Sequence, residues 1–284
     1  MAKQFLVCID SDGCAFDTME VKHKECFCPA YIRAFGLQPV AKYARDAWDF
    51  ANLYSRWRGV HRFRALLKAL EVLAPRKEVL ERGFHTPELP ELRAYVEGGN
   101  ALTNDALEAY AAAHPGSGEL RTVLEWSYDV NRRVRELVCG VPPFPHVRES
   151  LQKLSQEADI VVVSATPAEA LEREWAEHDL ARFTAAIKGQ ESGTKKEIIA
   201  SLKGQYVPEH ILMIGDAPGD LDAARDNGVS FYPICPDRES ESWRLFESVF
   251  MDLFLNGRYR GEAENDAVGA FLALLPSEPC WLKG

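Results

Sequence analysis

The chain has 284 residues, 46% of them hydrophobic and 27% charged, with 33 Lys and Arg against 43 Asp and Glu for a formal charge of −10. This composition excludes a disordered tail or a collagen-like chain, and the length suffices for one large hydrophobic core or two modest ones. The acidic balance counts against general binding to nucleic acid or to an anionic membrane, and the apolar runs at 5–9 and 160–163 are far too short to span a bilayer.

No basic segment leads into a longer apolar run near the start, as a secretory signal requires. The cysteines (Cys8, Cys14, Cys26, Cys28, Cys139, Cys235 and Cys280) are odd in number, scattered and without a CxxC pair. That is the pattern of a reduced, cytoplasmic chain rather than of a disulfide scaffold or a zinc finger.

Residues 4–9 form a continuous apolar run that ends in Asp10-Ser11-Asp12-Gly13, which predicts a buried strand of a parallel sheet. From 18 to about 140 the texture turns helical: 42–52, 61–72, 88–98, 103–114 and 118–138 carry apolar residues at helical spacing, with Gly and Pro between them. A stiff proline-rich link, Val141-Pro142-Pro143-Phe144-Pro145, follows. Then helix and strand alternate: helix 147–156, strand 159–164, helix 168–180, short strand 185–187, helix 194–202, strand 210–214, helix 220–227 stopped by Gly228, and strand 229–234. Alternation of this kind implies βαβ units and a doubly wound parallel sheet. Residues 239–275 read as further helices, and 243–255 carries Trp, Phe and Leu at helical spacing, as core packing or as a dimer face. The expected architecture is an α/β core made of 1–17 and 142–284, with a C-terminal helical extension, and an all-helical domain at 18–141 inserted after the first strand. In an open α/β sheet the ligand sits beyond the carboxyl ends of the strands, so such an insertion is expected to roof the site.

Chemistry-bearing residues collect at those strand ends. The first strand delivers Asp10 and Asp12; the second ends in Ser164-Ala165-Thr166; Lys195 and Lys196 open a helix; a later strand ends in Gly215-Asp216, with Asp220 four residues on. Carboxylates that repel one another need a cation between them, and oxygen ligands without a His or Cys pair suit Mg²⁺ rather than zinc. The cation leaves room for an anion such as phosphate, held by hydroxyls and N–H groups after Ser164. Periodicity places Lys195 on the face of Ile198, Ile199 and Leu202, which must pack on the sheet, and turns Lys196 about 100° away. Lys195 is therefore expected to reach inward, with Lys196 as the fallback.

The segments DSDGCAFD, VVVSAT, GTKKEII and IGDAPGDLDAA, in this order, resemble the four motifs of the haloacid dehalogenase-like hydrolase superfamily, and the helical insertion resembles its type-1 cap. Cys14 stands where that family commonly has Thr. The resemblance implies Asp10 as the nucleophile that forms an aspartyl-phosphate, and Asp12 as the acid and base for the leaving group and for water. It implies Mg²⁺ on Asp10, the Asp12 carbonyl, Asp216 and Asp220, with Ser164 on a phosphate oxygen and Lys195 on Asp10 and the phosphoryl group. The second acid counts against carbon–halogen cleavage, because a halide leaves without a proton.

Each element also has an ordinary reading. Asp10 and Asp12 are solvated turn acids, Asp216 and Asp220 complement a helix dipole, and Ser164 to Pro167 cap a helix. The order of all four at strand ends favours the site. In the run 52–64, Arg58 and Arg62 are four residues apart and share a face on a helix. They either recognise an anionic or sugar-like group or are solvated and paired. His23 and Cys26-Phe27-Cys28 read as packing, while Lys22 and Lys24 leave open an imine-forming, phosphonate-cleaving activity. The expected function is a Mg²⁺-dependent phosphatase of a small phosphorylated metabolite with a closing cap. The alternatives are a phosphosugar mutase on the same core or a non-catalytic binding protein with a retired site.

Overall fold

Five strands, β1 (Phe5–Ile9), β2 (Ala158–Val163), β3 (Ala186–Lys188), β4 (Ile211–Gly215) and β5 (Ser230–Pro233), build the sheet of the computed structural model, which describes residues 3–282. All pairs are parallel, in the order β3-β2-β1-β4-β5, with Ile9 opposite Val162 of β2 and Ile214 of β4. Every residue of β1, β4 and β5 is buried, as expected where helices cover both faces.

Side chains alternate across the strands. On one face Val7, Ile9, Ile160, Val162, Leu212 and Ile214 meet Leu151 and Leu154 of helix Val147–Glu157, Trp175 of helix Ala168–Glu177, and Trp243 and Phe254 from the C-terminal helices. On the other, Leu6, Cys8, Val161, Val163, Ile211 and Met213 meet Ile198 and Ile199 of helix Lys195–Leu202, Leu221 of helix Pro218–Asn227, and Phe271 of helix Glu262–Ala273. The sheet is doubly wound. From β1 the chain steps outward through β2 and β3, then crosses back to lay down β4 and β5 on the far side of β1. The strand order therefore reverses between β1 and β4, where such sheets open a crevice at their carboxyl ends.

Local departures from the expected elements have physical causes. The helix after β2 ends at Glu177 rather than 180, because Asp179 takes a left-handed conformation (φ 50°) and a 3₁₀ turn, Ala181–Phe183, follows. The C-terminal helical stretch is broken between Leu255 and Glu262, where Gly257 and Gly261 have φ of 67° and 111°.

The chain divides into two compact units: residues 3–19 with 140–275, which contain the sheet, and residues 20–139 with 276–282. Among the described residues the second unit has no strand. Its core is aromatic, with Tyr31, Trp48, Phe63, Tyr95 and Trp126 buried among leucines. Cys26 and Cys28 are buried there, and His23 accepts a hydrogen bond from Trp48 Nε1 (3.3 Å) and stacks on Phe27. Residues 276–282 return the chain to this unit: Trp281 Nε1 donates to the Val72 carbonyl at 3.0 Å, and its ring meets Phe50 edge-on. Among the described residues no helix is long and apolar enough to cross a membrane.

Candidate active site

At the reversal between β1 and β4, the two strands run on into acids. The Asp10 amide donates to the Ile214 carbonyl at 3.0 Å, which extends the β1–β4 pairing by one residue and carries Asp10 to the sheet edge beside Asp216. Asp220 enters from the first turn of the helix Pro218–Asn227, where its Oδ2 accepts the Ala217 N–H at 3.1 Å. Gly215 makes that position available. A Cβ at residue 215 would lie 2.4 Å from Asp220 Oδ2 and 2.5 Å from Asp220 Cβ. Carboxylate oxygens of Asp10, Asp216 and Asp220 all lie within 4.8 Å of one another, and all three residues are buried.

Lys195 answers part of this charge. A capping box between Thr194 and Glu197 starts its helix, which fixes Lys195 in the first turn. Its Nζ donates to Asp10 Oδ2 at 2.5 Å and also to Asp220 Oδ1. Burial works against the ammonium, but Asp10 and Asp220 outweigh it and hold the lysine protonated well above its ordinary range. Burial, and beyond it the charges of Asp220 and Asp216, push the Asp10 carboxyl upward against the pull of Lys195. Lys196 is exposed and pairs with Asp226 at 2.7 Å.

Three carboxylates against one ammonium leave two formal negative charges in a buried cluster, and the donor set is all oxygen. A divalent, oxygen-seeking cation fits both the charge and the donors. The nearby sulfur does not compete as a ligand. Cys14 is fully buried, its Sγ–H directed at the Ile214 carbonyl (3.6 Å), and burial followed by the surrounding aspartates pushes its thiol far up, so it stays neutral.

Asp12 lies apart from the triad. Its Oδ1 accepts from the Thr18 hydroxyl and its Oδ2 from the Thr166 hydroxyl at 2.7 Å. Thr166 belongs to the turn after β2, where Ser164 is buried, its amide bound to the Lys188 carbonyl (3.0 Å) and its Oγ accepting the Thr166 N–H (3.3 Å). Sequence reasoning placed Ser164 at this turn but assigned neither threonine to Asp12. It also missed the residues that fix the turn after β1: the Ser11 hydroxyl bonds to Glu174 and Trp175, and Trp243 Nε1 donates to the Cys14 carbonyl at 2.7 Å. The only local signal for these was an apolar helical pattern around each tryptophan.

Arg58 and Arg62 belong to the helical unit, and they do not share a helical face. The chain turns through Gly59, at φ 78°, and the helix begins at Arg62 behind the His61 N-cap. Arg58 is buried, with Nη1 donating to the Leu53 carbonyl at 3.0 Å. Arg62 donates to Ser127 Oγ (3.2 Å) and Asn131 Oδ1 (2.7 Å) and lies over the Phe27 ring. Among the described residues it has no carboxylate partner.

A family model, that of the haloacid dehalogenase-like hydrolases, matches residues 98–234, which include Ser164, Lys195, Asp216 and Asp220. No curated protein matches the chain. Solved structures resemble it at low identity. A predicted phosphoglycolate phosphatase from Haemophilus somnus 129pt is 15% identical with a TM-score of 0.49, over 81% of this chain and 85% of that one. A haloacid dehalogenase-like family hydrolase from Streptococcus pneumoniae is 15% identical with a TM-score of 0.43, over 84% and 90%. A superfamily hydrolase from Ehrlichia chaffeensis is 13% identical with a TM-score of 0.43, over 88% and 99%. β1 delivers Asp10, which lies outside the matched residues, to the acids and lysine within them.

Proposed function

We propose that the protein is a Mg²⁺-dependent phosphatase of a small phosphorylated metabolite, with Asp10 as its nucleophile. The observation that carries this reading is the buried meeting of Asp10, Asp216 and Asp220 with Lys195, two formal charges short of neutrality. Bound among these carboxylates and the Asp12 carbonyl, Mg²⁺ supplies the positive charge that lets an anionic nucleophile meet a phosphate dianion.

This chain's residues divide the remaining work. An Asp10 oxygen attacks phosphorus, the bond from phosphorus to the leaving oxygen breaks, and Asp12 gives that oxygen its proton. Water then attacks the aspartyl-phosphate, its proton passes to Asp12, and the bond from Asp10 to phosphorus breaks, which releases phosphate and restores both acids. Lys195 offsets charge on Asp10 and on the phosphoryl oxygens, and Ser164 donates to one of those oxygens. The two threonines that hold Asp12 outside the acid triad support its separate role, since a proton carrier must not be consumed as a metal ligand. In the helical unit we assign Arg62, rather than Arg58, to an anionic group of the substrate. Among the described residues the Arg62 guanidinium has neutral hydrogen-bond partners, Ser127 and Asn131, whereas that of Arg58 is buried and donates to the Leu53 carbonyl.

Hydrolysis of an aryl phosphate, with Mg²⁺ and with EDTA, tests the reading, followed by a panel of sugar and nucleotide phosphates. Expected are metal-dependent phosphate release and its loss in Asp10→Asn. No turnover across the panel overturns the proposal, and isomerisation of a hexose phosphate without phosphate release assigns a mutase instead.

A further inference from the structure

Ser11 lies between the two aspartates, and each of its polar groups is engaged. Its N–H donates to Asp10 Oδ1 at 2.7 Å, and its carbonyl accepts the amides of Ala15 (2.9 Å) and Phe16 (3.0 Å). Its hydroxyl donates to Glu174 Oε2 and accepts from Trp175 Nε1, both at 3.0 Å. Ser11 and Trp175 are fully buried, and the Trp175 ring meets Phe16 edge-on at 5.6 Å. One helix, Ala168–Glu177, thus grips the turn both by its serine hydroxyl and through Phe16 at its far end.

The turn needs such a hold. Asp10 is pressed against Asp216 and Asp220, and like charges in a buried cluster push the loop that carries one of them outward. Ser11 follows Asp10 directly and its carbonyl closes the turn, so a bond that fixes residue 11 restricts the backbone freedom of its neighbours Asp10 and Asp12. A carboxylate acceptor and an indole donor converging on one hydroxyl leave it a single orientation.

We propose that Glu174 and Trp175 clamp the Ser11 hydroxyl, making all three positioning residues that set the aim of Asp10 and Asp12. The proposal rests on the phosphatase reading for its consequence in turnover, and not for the clamp itself.

The test takes the full chain and its Ser11→Ala, Glu174→Ala, Glu174→Gln and Ser11→Ala/Glu174→Ala variants. It measures Mg²⁺-dependent hydrolysis of an aryl phosphate and, independently, Mg²⁺ binding by calorimetry. A misaimed nucleophile slows the chemical step more than binding, so Ser11→Ala and Glu174→Ala are each expected to lower kcat about tenfold with KM within about twofold. Members of one clamp do not add, so the double variant should fall no further than either single one. Glu174→Gln retains an oxygen acceptor and should keep roughly half of kcat or more. Wild-type kcat in Ser11→Ala, multiplying losses in the double variant, or no rescue by glutamine overturns the clamp. Should Ser11→Ala fail to fold, the split between Glu174→Ala and Glu174→Gln decides. A wild-type chain that binds Mg²⁺ but hydrolyses nothing sinks the phosphatase reading alone. Severalfold weaker Mg²⁺ binding in the variants then supports the clamp, and unchanged binding refutes it. A wild-type chain with neither property overturns both.

Discussion

Lys195 Nζ sits 2.5 Å from Asp10 Oδ2, although 185 residues separate the two in the chain. The contact joins the end of the central strand to the first turn of a helix, and it sets an ammonium among three buried acids. Its neighbour Lys196 points into solvent toward Asp226. Lys195→Ala is therefore expected to lower turnover by about 10²–10³-fold, the usual cost of deleting a preorganised group that meets developing charge. Lys196→Ala removes an exposed, solvent-screened pair and should leave turnover unchanged. Steady-state kinetics of the two variants side by side decide the matter; equal losses would refute the assignment.

Gly215 offers a sharper probe of the acid cluster, because the substitution touches no reacting group. A methyl group at residue 215 meets the Cβ of Asp220 at 2.5 Å, and that atom is too near its own backbone to swing away. Relief has to come from moving Asp220 or the end of β4. Gly215→Ala should cost roughly 100-fold in turnover, as about an ångström of misplacement does, and about 1–3 kcal/mol in stability from overpacking. Activity with Mg²⁺ and a thermal unfolding curve check both halves, and a fully active Gly215→Ala would show that Asp220 need not be where it is.

How much of this was legible in advance follows from the range of each signal. Asp10, Asp216 and Lys195 were readable because strand alternation and helical periodicity locate strand ends and inward faces from a few neighbouring residues. The clamp on Ser11 was not, since its partner Trp175 is 164 residues away and the segment around it spells only an apolar helical face. The same holds for Thr166, which reaches Asp12 across 154 residues with nothing but a hydroxyl in a helix-capping context to mark it. The helical face expected to be shared by Arg58 and Arg62 failed for a local reason. Spacing by four implies a shared face only on a helix, and Gly59 takes a left-handed turn between them.

Trp281 ties the last described residues to the helical unit, and the cost of removing it can be gauged. Its ring lies 4.6 Å from the Arg76 guanidinium carbon, which is also 4.6 Å from the Tyr43 ring, so the cation is held between two aromatic faces. Its indole N–H also satisfies the Val72 carbonyl. Trp281→Ala forfeits a cation–π contact, a hydrogen bond and part of a large apolar surface. Because the ring is only partly buried, the loss should be about 2 kcal/mol rather than the roughly 3–5 of a fully buried tryptophan. Urea unfolding of the variant measures it; a shift no larger than that of an ordinary surface change would show that the segment merely rests there.

Acid should loosen the helical unit through His61. This residue caps the helix Arg62–Leu73, its Nδ1 accepting the Phe63 N–H at 3.3 Å, and a protonated imidazole has no lone pair there to accept with. Burial, then the charges of Arg62 and Arg64, push its pKa down to about 4 from the ordinary 6.5. Between those values the unfolded chain binds a proton that the folded one refuses, so stability rises with pH across this window and is lost as pH falls through it. Asp49 opposes the trend: burial raises it to about 6, so between about pH 4 and 6 its folded form holds the extra proton and stability falls as pH rises. With the raised carboxyl of Asp10 acting in the same sense as Asp49, the wild-type slope sums opposing effects, and a substitution isolates that of His61. His61→Asn keeps an oxygen cap without a titrating ring. Relative to wild type it should gain stability as pH drops from 7 to 4, by about 2–3 kcal/mol in all. Denaturant unfolding at several pH values gives the comparison, and a difference that stays flat over the range would mean that His61 is free to protonate in the folded protein.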